Sequence, residues 1–349
     1  MSRTVNIVSW DNASGLGRDI DILERALKDL GWTVAFNADH ARQKIRTISG
    51  RVGHRLRRVV RRTAVGTGVL APPFDLNLHL EDINAEQLPL ARGNILIPNQ
   101  EWFRDASSRQ LDAMDEIWAK TRLAEKLFSA LGCNVKYLGW TSVDRSMPGI
   151  PRPQTLSALH IAGASVWKGT EALLDVWSEN PAWPRLTVLR RPLDNWGFAI
   201  PWNRREPCSN VSIVTDRLED EALRRLQNES AIHVCPSEAE GFGHVIVEGM
   251  SVGAVVITTD APPMNEIITR ERGLLAAVER TESMSLGQRY FISRQDLASN
   301  IAAVLRMSEC ERSSLGQAAR GWYDANAAAF RRNLRTCLGY ASSDVHTAA

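Results

Sequence analysis

Short runs of aliphatic and β-branched residues alternate with segments of helical periodicity along almost the whole 349-residue chain, which restricts it to a layered α/β fold. In the first half the strand runs are Val5 to Trp10, Thr33 to Asn37, Leu76 to Glu81, Asn94 to Pro98, Glu116 to Lys120 and Val135 to Leu138. Helices are expected over Arg18 to Leu30 and Arg122 to Leu131. A proline-bearing stretch, Thr141 to Thr155, reads as a linker. The rhythm then restarts with strands at Ala158 to Ala162, Leu186 to Leu189, Val211 to Val214, Ala231 to Val234 and Ala254 to Thr258. Helices are expected at Thr170 to Ser178, Glu219 to Asn228, Arg294 to Met307, Glu311 to Ala319 and Trp322 to Leu338. Gly316 and Gly321 interrupt that tail. Such alternation implies parallel strands joined by helical crossovers, so two Rossmann-like domains are expected, 1–145 and 156–325, followed by a helix and tail, 326–349.

In sheets of this kind ligands bind beyond the carboxyl ends of the strands, which directs attention to the loops there. The segment Cys235 to Gly253 is the most suggestive, because Pro236 stops a buried strand and a helix begins near Gly243 and His244. Unpaired amides and the positive end of the helix dipole favour an anion such as a diphosphate at that point. Gly241 and Gly243, lacking Cβ atoms, let a ligand lie against the backbone. Glu248, about one turn further on, is placed to accept hydrogen bonds from ribose hydroxyls, while Glu240 stays on the loop nearer a reacting group.

Glu240-Gly241-Phe242-Gly243, with the second acid at Glu248, resembles the E-x7-E signature of GT-B glycosyltransferases, specifically the retaining family 4. The resemblance is specific from about Ser157 to Ile268, looser before that and absent at the tail. It implies a GT-B architecture, with two Rossmann-like domains facing across a cleft, and a sugar passed from a nucleotide-diphosphate donor to a hydroxyl. By the same resemblance Glu240 contacts the donor sugar, Glu248 holds the ribose, and the Phe242, Gly243 and His244 amides lie near sugar and phosphate. Nucleobase contacts fall on backbone near Thr215 to Leu218.

Four further segments carry expectations. Gly15 and Gly17, in Ser14-Gly15-Leu16-Gly17 after the first strand, either approach the donor diphosphate or make a tight turn; Ile20 stands where a dinucleotide fingerprint needs glycine. Lys168 of Lys168-Gly169 matches the family's phosphate-neutralising lysine, but the arginine that accompanies it there is missing, since Ala164 and Ser165 follow Gly163. Arg190 and Arg191, ending a neighbouring strand, are candidates to replace it, or are a surface pair. Glu101, in Pro98-Asn99-Gln100-Glu101-Trp102, stands near where many relatives have a histidine, and either orients the acceptor hydroxyl or caps a turn.

His79, His160 and His233 fall within strand patterns and read as core groups. Asp19-Ile20-Asp21 spells D-x-D inside a helix and five scattered cysteines include no C-x-x-C pair, so no metal or cofactor is expected. The segment 41–65 is basic and amphipathic, with Ala41 to Phe74 carrying nine Lys or Arg and no acid. Its Arg51 to Arg62 region suits an anionic membrane surface, or is a solvated helix face; no interleaved aromatics support nucleic acid. Net charge is only +2, and no apolar run reaches membrane-spanning length. The expected setting is cytoplasmic, in solution or peripheral on the inner membrane face, and the expected acceptor a glycan or lipid-linked glycan of the cell surface. The alternatives are a nucleotide-sugar epimerase of the same fold and a non-catalytic nucleotide-sugar-binding scaffold.

Overall fold

The computed structural model describes residues 3–9, 15–38, 70–103, 105–150, 156–191 and 208–340. The basic segment 41–65, and most of the Pro- and Trp-rich stretch after Arg191 with Trp196 and Trp202, lie outside the described residues. The chain forms two compact units, Met1–Gly139 with Arg331–Ala349, and Trp140–Phe330.

The first unit is built on a six-stranded sheet in the order β2-β1-β3-β4-β5-β6, every pair parallel. Its strands are β1 (Thr4–Ser9), β2 (Thr33–Ala38), β3 (Phe74–Glu81), β4 (Ala91–Pro98), β5 (Glu116–Ala119) and β6 (Val135–Tyr137). One asparagine from each of three adjacent strands pins the register. Asn6 donates to Asn77 at 2.8 Å and Asn77 to Asn94 at 2.8 Å, a buried ladder that a one-residue slip would break. The helix Gly15–Asp29 follows β1, burying Leu16, Ile20, Leu23 and Leu27. It starts three residues earlier than its apolar spacing predicts, so Gly15 and Gly17 lie in its first turn.

In the second unit the strands are β7 (Ser157–Gly163), β8 (Arg185–Arg190), β9 (Val211–Val214), β10 (Ile232–Cys235), β11 (Val255–Thr259) and β12 (Leu274–Ala276). Their order, β12-β11-β10-β7-β8-β9, is the doubly wound arrangement, again with all pairs parallel. The strand order switches direction between β7 and β10. Leu173, Val176 and Trp177 of the helix Thr170–Ser178 and Leu297, Ile301 and Val304 of the helix Arg294–Arg306 close the core over Val188, Val234 and Ile257.

Two features differ from the sequence expectation. The tail is one helix, Glu309–Cys337, and not two. Ser308 and Glu311 open it with a reciprocal capping box, in which Glu311 accepts from the Ser308 amide at 2.7 Å and Ser308 Oγ from the Glu311 amide at 3.3 Å. Gly316 is there because the helix passes close to another backbone: a Cβ at that position would lie 2.0 Å from the Gly253 carbonyl oxygen. The second is an antiparallel hairpin, β13 (Val278–Met284) and β14 (Gly287–Ile292), between β12 and the helix Arg294–Arg306. Its exposed positions include Glu279, Arg280 and Glu282, which mask the alternation of a strand.

Candidate donor site

The loops after β7 and β10 leave neighbouring parallel strands at the switch point of the second sheet, where open α/β sheets bind ligands. They are bound to each other. The Glu238 amide donates to the Trp167 carbonyl at 2.9 Å, and Gly169, at φ +63°, presses on Pro236 so closely that a Cβ would stand 2.0 Å from its carbonyl oxygen. Only glycine meets both conditions. Arg289 of β14 forms an ion pair with Glu238, and the Tyr290 amide donates to the Glu238 carbonyl at 2.8 Å, so the hairpin braces the same loop.

Lys168 Nζ lies 2.5 Å from Glu240 Oε1, which also accepts from Ser237 Oγ at 2.7 Å. The lysine and the glutamate are 15% and 9% exposed, enough for a ligand to reach the pair and little enough that water screens it weakly. Gly243 caps the helix His244–Ser251 in a left-handed conformation, φ +114°. That helix has neither a side-chain cap nor an acid in its first turn, in contrast to the Thr121-capped helix Arg122–Ala130. Its first-turn amides therefore suit an anion. Beneath the site, His160 joins the Val234 carbonyl at 2.8 Å to Thr170 Oγ1 at 2.9 Å, and burial holds its pKa down to about 4. A carbonyl only accepts, so the neutral ring carries its proton on Nδ1 and takes the Thr170 hydroxyl hydrogen on Nε2. His233 and His79 are likewise buried, each lowered to about 4 by desolvation, and burial raises the Cys235 thiol to about 12. These are core groups.

Glu248 is 1% exposed. Its Oε2 accepts from Gln227 Nε2 at 2.9 Å, and Gln227 Oε1 in turn accepts from Arg145 Nε at 2.8 Å. Arg145 also donates to Asp220 Oδ1 at 2.7 Å, fastening the 142–147 segment to the helix Asp220–Glu229. Ser142 Oγ sits 3.4 Å from Glu248 Oε1 and 3.0 Å from His244 Nδ1. Gln227 was open to detection, since it falls on the buried stripe four residues after Leu223; Ser142 and Arg145, in the expected linker, gave no signal.

Of the other expected residues, Arg190 ends β8 beside Gly163 of β7, with its guanidinium 2.7 Å from Glu171 Oε1, and the Arg191 amide donates to the Gly163 carbonyl at 2.8 Å. Gly15, Gly17 and Glu101 belong to the first unit. Glu101 is 8% exposed, just beyond β4, near Asn99, whose side chain accepts from the buried Lys120 at 2.8 Å. Lys120 also pairs with Asp19 at 2.5 Å, which accounts for the first acid of the D-x-D spelling. Among the described residues no group of three His, Cys, Asp or Glu side chains could hold a metal ion, and no helix is long and apolar enough to cross a membrane.

Residues 207–305, the stretch that holds Glu240 and Glu248, match the family model described as glycosyl transferases group 1. That stretch is similar to the group 1 glycosyl transferases, and the chain as a whole has the GT-B fold. Its fold is that of sucrose-phosphate synthase from Thermosynechococcus elongatus, at TM-score 0.69 and 14% identity over 96% of this chain and 98% of that one. HepE of Anabaena, in complex with UDP-glucose, superposes at TM-score 0.67 and 14% identity, covering 96% and 99%. WaaG, a glycosyltransferase involved in lipopolysaccharide biosynthesis, does so at 0.60 and 14%, covering 96% and 100%. No curated protein sequence matches the chain significantly. Both six-stranded sheets agree with the two Rossmann-like layers expected from the sequence rhythm.

Proposed function

We propose that the enzyme transfers a sugar, with retention, from a nucleoside-diphosphate sugar to a hydroxyl of a glycan or glycolipid acceptor in the building of cell-surface polysaccharide. The observation that carries this is the Lys168–Glu240 pair beside the amide-lined start of the helix His244–Ser251. An arriving diphosphate takes Lys168 as its counter-ion and the Phe242, Gly243 and His244 amides as donors, which frees Glu240 to accept from a donor sugar hydroxyl. Lys168 then stabilises the charge that develops as the bond from the anomeric carbon to the diphosphate oxygen breaks. The acceptor hydroxyl attacks on the face the diphosphate leaves, so no enzyme nucleophile is needed. Glu248 accepts from the ribose hydroxyls.

In the same proposal Arg190 adds positive charge near the diphosphate once Glu171 yields it, Gly15 and Gly17 offer amides to the diphosphate, and Glu101 orients the acceptor. Donor complexes of HepE with UDP-glucose and the part of WaaG in lipopolysaccharide biosynthesis are consistent with it. The test is a calorimetric titration with the nucleoside diphosphate that binds. Glu248→Ala is expected to raise Kd about 10- to 100-fold, the worth of roughly 1.5–3 kcal/mol of hydrogen bonds to a charged group. An unchanged Kd removes Glu248 from the ribose site.

A further inference from the structure

The Ser142 hydroxyl stands between two side chains that both offer it an acceptor, His244 Nδ1 at 3.0 Å and Glu248 Oε1 at 3.4 Å. It has one hydrogen to give. If that hydrogen goes to His244, the ring proton is on Nε2, and an Oγ lone pair faces a carboxylate oxygen with no hydrogen between them. Ser142 and Glu248 are 4% and 1% exposed, so that contact would be poorly screened. If it goes to Glu248, the ring proton is on Nδ1 and is donated back to Ser142 Oγ. Both contacts of the hydroxyl then hold a hydrogen, and the carboxylate gains the stronger, charge-assisted bond.

Neither end of this row can turn away. The other Glu248 oxygen is held by Gln227, whose amide orientation is fixed by Arg145 at its oxygen. The Ser142 backbone is pinned by the Tyr323 hydroxyl, which donates to its carbonyl at 3.0 Å, and three residues on by Ser251 Oγ, which accepts from the Arg145 amide at 3.0 Å. The imidazole itself packs edge-on against Phe242, ring centres 5.5 Å apart.

We propose that Ser142 is a positioning residue that relays the buried Glu248 carboxylate to His244, holding the imidazole proton on Nδ1 and orienting the ring for the donor. A neutral ring in this form offers Nε2 as an acceptor, suited to a donor hydroxyl, while phosphate oxygens fall to the helix amides. The part concerning the donor rests on the function proposed above; the tautomer does not.

The test is heteronuclear NMR of the ligand-free full chain labelled at histidine, about two pH units above the ordinary imidazole pKa. There are seven histidines, and the His244 signal is the one lost in His244→Gln. The expected neutral form is Nδ1–H in the wild type, turning to Nε2–H in Ser142→Ala and returning to Nδ1–H in Ser142→Thr. Donor KM is expected to rise about fivefold in Ser142→Ala with kcat within about twofold, and to recover in Ser142→Thr. A wild type in the Nε2–H form, or a tautomer that Ser142→Ala does not alter, overturns the relay. A switched tautomer with unchanged donor KM overturns the role in positioning. Because the tautomer is read without ligand, its outcome is separate from whether a nucleotide sugar is turned over at all.

Discussion

Lys168→Ala is expected to lower kcat/KM for sugar transfer by about 10²–10³-fold, the usual consequence of losing one preorganised charge at a developing anion. Lys168 is the cation that the structure brings to Glu240, 2.5 Å away, in a setting that is mostly dry. In the proposed role, its removal would deprive the departing diphosphate of a counter-ion and Glu240 of its ion pair. The loss should fall on kcat more than on KM, because charge on the leaving oxygen is greatest in the transition state. Lys168→Arg should recover part of the rate, since charge is kept while the planar fork cannot reproduce the compact ammonium contact. Steady-state kinetics on a folded variant decide the matter. A kcat/KM within about threefold of the wild type would remove Lys168 from the chemistry.

Gly169→Ala is expected to be the most damaging small substitution in the second unit, costing about 3 kcal/mol or more. Left-handed backbone alone costs an alanine about 1–2 kcal/mol. The new methyl carbon would also stand 2.0 Å from the Pro236 carbonyl oxygen, so the two site loops must move apart. Gly163 supplies the control. It has a similar φ, +59°, and a Cβ there would meet nothing within 4 Å, so Gly163→Ala should show the backbone cost alone. Thermal or urea unfolding of the two variants separates the contributions. If Gly169→Ala is no worse than Gly163→Ala, the close packing of the two loops is not what holds the site together.

Most of the fold was legible because parallel, doubly covered strands are short continuous apolar runs with little ambiguity of period. Thr170–Ser178 and Val211–Val214 fall where the spacing puts them. The misreadings share a cause, namely that tertiary contact overrode a local signal. Gly316 reads as a helix breaker until Gly253 is seen against it. The first strand of the hairpin, Val278–Met284, is exposed at its five inner positions, so it lacks the alternation that marks a half-buried strand.

At the candidate site, the placing of Glu240, Glu248 and Lys168 on loops and a helix after strands was legible, because prolines and glycines mark those strand ends. Their supports were not. Gln227 and Ser142 reach Glu248 from 21 and 106 residues away in sequence, and Arg145 reaches Gln227 across 82, distances over which no local pattern encodes a partner.

The central claim is that the second unit binds a nucleotide sugar at Lys168, Glu240 and Glu248. The most direct measurement is a thermal-shift screen of the purified chain against UDP, GDP, ADP, TDP and CMP and their common sugar conjugates, with NAD as control. A ligand that binds only the folded state at 100 times its Kd adds about 2.7 kcal/mol of stability, enough to raise Tm by a few degrees. The expected result is a selective rise with one nucleoside diphosphate and its sugar conjugates, and none with NAD. A rise with NAD alone, or none with any nucleotide at millimolar concentration, would contradict the claim.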